Sequence, residues 1–280
     1  MKIALIQMAV CPDKTTNLTH ASDLIRAATA SGADLVMLPE MFCCEYNNNA
    51  FLENREPAGG AIWQSLSHAA ATNKVWLIGG SFPEAEGERT FNTSFVFDRN
   101  GRQAAFHRKM HLFDIDVKGG QHFRESLTFS SGDGVTLFET EFGRMGLCVC
   151  FDIRFPELCR LMSLEGAQVI FCPAAFNMTT GPAHWELMFR GRAVEDQVFT
   201  VGCSSARDVN GSYVSYANSI IVTPWGDTLV RAGAEETILS ANIDIDLVAK
   251  VRAELPLLSA RRTDVYRLDR LDSNLQPVVY

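Results

Sequence analysis

Gly32-Ala-Asp-Leu-Val-Met-Leu-Pro39 and Gly166-Ala-Gln-Val-Ile-Phe-Cys-Pro173 are one pattern written twice: a Gly-Ala start, a short apolar run and a closing proline. Around them three more segments recur in the same order. Upstream, Lys2-Ile-Ala-Leu-Ile-Gln-Met8 reads against Arg144-Met-Gly-Leu-Cys-Val-Cys150. Downstream, Val75-Trp-Leu-Ile-Gly-Gly-Ser81 reads against Val198-Phe-Thr-Val-Gly-Cys-Ser204, and Phe91–Gly101 against Tyr216–Gly226, with Ser94 over Ser219. One match would be weak; an ordered set implies a duplicated unit.

Each unit alternates apolar strands with helical stretches. Strands are expected at Ile3–Val10, Leu35–Leu38, Met145–Val149 and Val169–Cys172. Helices are expected at Thr19–Ser31, where Leu24, Ile25 and Ala28 share a face, and at Pro156–Glu165, where proline suits the first turn. Others fit Ala61–Asn73 and Ala183–Asp196, and Ser215–Val222 with Thr228–Arg231 reads as a hairpin around Pro224-Trp-Gly-Asp227. Two such α/β units can bury their bare sheet faces against each other. The expected fold is a four-layer α-β-β-α sandwich of two pseudo-symmetric halves, one domain over residues 1–280.

Composition narrows the function. Of 280 residues 47% are hydrophobic and 21% charged, with a net charge of −8 and a pI of about 5.3. No basic run offers a footprint for nucleic acid, and no apolar stretch is long enough to cross a bilayer. Met1–Val10 has a lysine and an apolar run, yet it lacks a small-residue cleavage site and meets Asp13 and Lys14 at once, so a buried strand fits better than a leader. Eight cysteines show no Cys-x-x-Cys spacing, and several lie in apolar stretches, as reduced thiols do. A reducing, cytoplasmic setting is expected, with no zinc or redox pair of the Cys-x-x-Cys type.

Candidate chemistry gathers where strands end. Cys150 stands between a strand and the helix opened by Pro156, a junction that presents a nucleophile beside free backbone N–H groups. Glu40 follows the first repeated proline, and Lys109 closes the strand after Asn100-Gly101. Taken locally, each has a plainer reading: Cys150 as a small core residue, Glu40 as a solvated loop carboxylate, and Lys109 within Phe106-His-Arg-Lys-Met-His-Leu112 as a solvated strand end. A redox pair of Cys148 and Cys150 is also open, although neighbours i and i+2 on one strand are poorly placed to bridge.

In order, Leu38-Pro39-Glu40, His107-Arg108-Lys109-Met110-His111-Leu112 and Val149-Cys150-Phe151-Asp152-Ile153-Arg154-Phe155-Pro156-Glu157 resemble the glutamate, lysine and cysteine motifs of the nitrilase superfamily. The likeness extends from Lys2 to Tyr266, and the branch it is most similar to is the omega-amidases. His111–Val117 and Ala175–Glu186 carry that closer likeness. Phe151 replaces a common tyrosine, and the loop Met41-Phe-Cys-Cys-Glu-Tyr46 departs from the branch pattern.

The resemblance implies a cysteine-dependent hydrolase that cleaves the terminal amide of a short 2-oxo dicarboxylic acid monoamide through a thioester, with no metal or other cofactor. It makes Cys150 the nucleophile, Glu40 the base, Lys109 and the Phe151 N–H the oxyanion donors, and Glu125 an accessory carboxylate. Arg154, Tyr46, Thr179 and Thr180 become candidates for holding the substrate carboxylate, and Phe176 and Trp185 for apolar walls. Residues 41–50 and 118–124 are expected to set pocket size, and His107, His111 and His184 to line the pocket wall or pack rather than ligate. A homodimer or larger homo-oligomer is implied as well. The alternatives are an amidase for deaminated glutathione or an N-carbamoyl compound, and a catalytically silent binding protein.

Overall fold

Successive side chains of a strand point to opposite faces, so a strand buried on both sides must satisfy two different neighbours. The computed structural model describes residues 1–270; residues 271–280 of the expected domain lie outside the described residues. The first half runs β1 (Lys2–Gln7), α1 (Lys14–Ala30), β2 (Leu35–Met37), α2 (Asn48–Glu53), α3 (Ala61–Asn73), β3 (Trp76–Ile78), β4 (Phe82–Glu86), β5 (Arg89–Phe97) and β6 (Gln103–Arg108). A hairpin, β7 (Asp114–Asp116) with β8 (His122–Arg124), follows. The second half runs β9 (Thr136–Thr140), β10 (Gly143–Leu147), α4 (Pro156–Leu164), β11 (Val169–Ala174), α5 (Gly181–Asp196), β12 (Phe199–Ser204), β13 (Ile220–Val222), β14 (Thr228–Arg231), β15 (Thr237–Asn242) and α6 (Asp246–Glu254).

The alternation sorts these strands into layers. Ile3 and Leu5 of β1, with Leu35 and Met37 of β2, meet Met145, Leu147, Phe171 and Val201 of the second half in one apolar cluster. Ala4, Ile6 and Val36, the residues between, face Ile25 of α1 and Leu66 of α3 instead. Ile170 and Cys172 likewise face Met162 of α4 and Phe189 of α5. The order is therefore helices, sheet, sheet, helices, the α-β-β-α sandwich expected from the repeat. Within it β1-β2-β3 and β10-β11-β12 are the matching parallel triplets. β15, from the second half, pairs antiparallel with β1 and extends the first sheet.

Three element boundaries differ from expectation by three residues or more. The α1 helix begins at Lys14 rather than Thr19, because the Asp13 carboxylate caps it by accepting from the Thr16 N–H at 2.7 Å. β1 stops at Gln7, beyond which the Ala9 N–H turns to the Glu236 side chain. Ser215–Ser219 is not strand: Ala217 and Asn218 take left-handed φ values of 59° and 64°, so the hairpin starts at Ile220.

Candidate active site

Parallel strands deliver their C-terminal ends to a common rim. From β10 the chain passes through Cys148 and Val149 into a single 3-10 turn, Cys150–Arg154, before Pro156 opens α4. Cys150 sits at φ 49°, a left-handed conformation that costs a non-glycine residue roughly 1–2 kcal/mol. Such strain persists only where the surroundings over-determine it. The Phe151 N–H, in the first turn, meets no backbone acceptor among the described residues. Burial, and next the Glu40 carboxylate, push the Cys150 thiol well above its ordinary pKa, while Lys109 pulls it down.

Glu40 is placed by the connection between β3 and β4. Met41, also left-handed, donates its N–H to Ser81 Oγ at 3.1 Å. Gly80 passes so closely beneath that a Cβ there would stand 2.1 Å from the Pro39 carbonyl oxygen, which only glycine avoids. Lys109 leaves β6 with its N–H on the Asn92 carbonyl at 2.8 Å. Its Nζ then donates to Glu40 Oε1 and to Glu125, each at 2.9 Å. Asn92 Nδ2 donates to Glu40 Oε1 at 2.8 Å, and the Phe113 N–H to Glu125 Oε2 at 2.7 Å. The Tyr46 hydroxyl lies 2.7 Å from Glu125 Oε1 and 3.3 Å from Glu40 Oε1, between the two carboxylates.

This charged group is wholly enclosed: Glu40 is 2% exposed and Lys109 and Glu125 0%. Desolvation costs several kcal/mol per ion, so burying a lysine between two glutamates is a poor route to stability alone. Burial, reinforced by Glu125 against the pull of Lys109, raises the Glu40 pKa. Burial alone would discharge Lys109, but Glu125, Glu40 and Cys150 outweigh it and hold the ammonium charged well above its ordinary range.

Asp152 joins the lysine and cysteine segments. Its Oδ1 accepts from the His111 N–H at 2.9 Å and lies 2.7 Å from His111 Nδ1. Its Oδ2 lies 3.0 Å from His107 Nε2 and accepts from the Val149 N–H at 3.0 Å. Burial opposes its charge, but the histidine contacts hold the carboxyl well below the usual range. Both flanks of Lys109 and both flanks of Cys150 thus hang on one carboxylate. His107 and His111 pack as expected, and His184 Nδ1 lies 3.0 Å from Arg154 Nη1.

A cavity of about 290 Å³ reaches Glu40, bordered by Met41, Tyr46, Ala175, Ser205, Arg207 and Tyr213. Its first wall falls within the expected 41–50 segment. The second is residues 205–215 rather than 118–124. Tyr213 was not singled out in the sequence, yet its ring stacks on Tyr46 at 4.4 Å and its hydroxyl donates to the Ala175 carbonyl.

The expected substrate residues divide. Arg154, four residues beyond Cys150 at the end of the 3-10 turn, is part-buried, and its Nε has no partner among the described residues. Phe176 supports it, the guanidinium lying 4.4 Å above the ring. Trp185 does not line the cavity: it is fully buried under Phe176 and Phe189, with Nε1 donating to the Asn218 carbonyl at 2.7 Å. Thr179, Thr180, Arg154, Phe176 and Cys150 itself likewise lie outside the residues that border this cavity. Thr179 Oγ1 accepts from the Gln121 N–H, while the N–H and hydroxyl of Thr180 engage Asn177 Oδ1. All eight cysteines are free thiols, and Cys148 faces Cys159 and Cys172 rather than forming a pair with Cys150.

Comparison with known proteins agrees with this fold. An omega-amidase of Bos taurus is 46% identical over 268 residues, covering 96% of this chain and 97% of its own length. The Homo sapiens omega-amidase is 43% identical over the same shares. A solved structure of a branch 10 member of the nitrilase superfamily from Saccharomyces cerevisiae superposes with a TM-score of 0.86 at 36% identity, over 94% of this chain and 96% of that one. An amidase from Nesterenkonia sp. AN1, solved with acrylamide added to its active-site cysteine, gives a TM-score of 0.76 at 27% identity, over 91% and 98%. The carbon-nitrogen hydrolase family model matches residues 2–253. With that match across most of its length, the chain belongs to the carbon–nitrogen hydrolase family of the nitrilase superfamily.

Proposed function

We propose that the protein hydrolyses the terminal amide of short 2-oxo dicarboxylic acid monoamides, releasing ammonia. The observation that carries this is the enclosed Glu40–Lys109–Glu125 group beside a strained Cys150, in a chain 46% identical to an omega-amidase. Glu40 takes the thiol proton and the Cys150 sulfur attacks the amide carbon. Negative charge then develops on the carbonyl oxygen, where the Lys109 ammonium and the Phe151 N–H receive it. The C–N bond breaks as Glu40 returns the proton to nitrogen, leaving a thioester and ammonia. A water deprotonated by Glu40 attacks the thioester, the C–S bond breaks, and the proton passes to the sulfur. Glu125 keeps Lys109 charged, and Arg154 holds the substrate carboxylate.

The test is ammonia release from 2-oxoglutaramate and 2-oxosuccinamate, against a panel of longer and N-carbamoyl amides, across pH. The short oxo acid amides are expected to dominate. Because Glu40 must be ionised to act as base and burial raises its pKa, kcat/KM is expected to climb with pH through a midpoint above the ordinary carboxylate range. Preference for longer amides would reject the substrate class; no turnover of any amide would reject the activity. We infer a homodimer or larger homo-oligomer on the same likeness, and a monomer mass by light scattering would overturn it.

A further inference from the structure

The two oxygens of Glu40 live in different surroundings. Oε1 accepts from Lys109 Nζ and from Asn92 Nδ2, with the Tyr46 hydroxyl at 3.3 Å. Oε2 is buried and has no partner among the described residues. Three groups meet Oε1 and none is fixed at Oε2, so the pose is held from the Oε1 side. Lys109 is poorly suited to hold it alone. An ammonium is a compact charge with rotating donors, here shared with Glu125.

Asn92 supplies direction. It is fully buried in β5, paired with Pro83 of β4. Its carbonyl fixes the Lys109 main chain while its side chain holds Glu40. The internal repeat adds an independent observation. In the second half, Ala174 stands in the place of Glu40, Ala217 in that of Asn92 and Ala234 in that of Lys109. The half without the charged pair thus lacks this amide as well, although Ala217 lies outside the strand at a left-handed φ of 59°.

We propose that Asn92 is a positioning residue for the general base: its donation to Oε1 aims Oε2 at the Cys150 thiol and keeps that oxygen free to take the proton. This rests on the role given to Glu40 above. The test follows the acid limb of two pH profiles, kcat/KM for 2-oxoglutaramate and the rate of Cys150 alkylation by iodoacetamide, in wild type, Asn92→Ala and the near-isosteric Asn92→Asp. Removing a donor from an ionised carboxylate raises its pKa. A hydrogen bond to a charged group corresponds to about one pH unit or more.

Both limbs are expected to move up by about one unit in Asn92→Ala and further in Asn92→Asp. We also expect kcat to fall about 10- to 100-fold, with KM held within about twofold. Limbs that stay in place, whether or not the rate falls, would overturn the proposal. Should the alanine variant not fold, the aspartate variant gives the same reading. If wild type turned over no amide, an alkylation limb that still moved would uphold Asn92 and discard the amidase reading.

Discussion

Cys150→Ala is expected to abolish amide hydrolysis, a loss of about 10⁴-fold or more in kcat, while the protein stays folded. Neither neighbouring thiol can substitute. Cys148 and Cys172 are fully buried, and Cys148 is turned toward Cys159. The variant adds no backbone strain, since alanine meets the same left-handed demand at φ 49° as cysteine does. Arg154 and the Lys109 ammonium remain in place, so substrate should still bind with near wild-type affinity. Single-turnover mass spectrometry makes the test specific: wild type should carry the acyl group on Cys150 and the variant should carry none. Retention of more than about 1% of the activity would reject Cys150 as nucleophile. It would point instead to a water activated directly by Glu40, because general-base catalysis alone reaches 10²–10⁴-fold.

How far the site was legible before the fold was known depends on where each residue's partners lie in the chain. The sandwich was readable because layering is written locally: Ile3 and Leu5 against Ala4 and Ile6 is a pattern within one strand, and the repeat says it twice. The segment His107–His111 shows the opposite. Four basic or imidazole groups in five residues look solvated, and they become enclosed only because each finds acids elsewhere. His107 and His111 share Asp152, Arg108 pairs with Glu84 and Glu86, and Lys109 lies between Glu40 and Glu125. None of those pairings follows from local spacing; the three motifs, in order, singled out Lys109.

The cavity wall from Ser205 to Ser215 was missed for a related reason. Its glycine, serine, aspartate and asparagine residues carry no periodicity, and its place is set by contacts such as the Arg207 N–H on the Ala234 carbonyl. Trp185 shows a subtler limit. Sequence located its helix, but which face of α5 turned inward was fixed by packing on β12, where Phe189 fits against Gly202.

Lys109→Met should damage activity and stability together, and the two losses should separate by pH. Methionine keeps much of the side-chain volume but removes the charge. The oxyanion then loses one donor, worth about 3–4 kcal/mol, so kcat should fall about 10²- to 10³-fold. In the folded protein Glu40 and Glu125 would face each other, fully buried, with only the Tyr46 hydroxyl between them. Breaking a buried pair costs about 3–5 kcal/mol when the remaining charge is uncompensated. Protonation relieves that cost, which fixes the sign. The Glu40 pKa, already raised by burial, loses the cation that opposed the rise. The variant's folded state therefore binds more protons than its unfolded state, and its stability falls as pH increases through the raised pKa. Its Tm deficit against wild type should be small near pH 5 and large near pH 8. An equal deficit at both would mean that Lys109 is not the counter-charge of the two carboxylates. A loss of kcat below tenfold would show that the oxyanion is received elsewhere, leaving Lys109 to hold Glu40 and Glu125 together without touching the reaction.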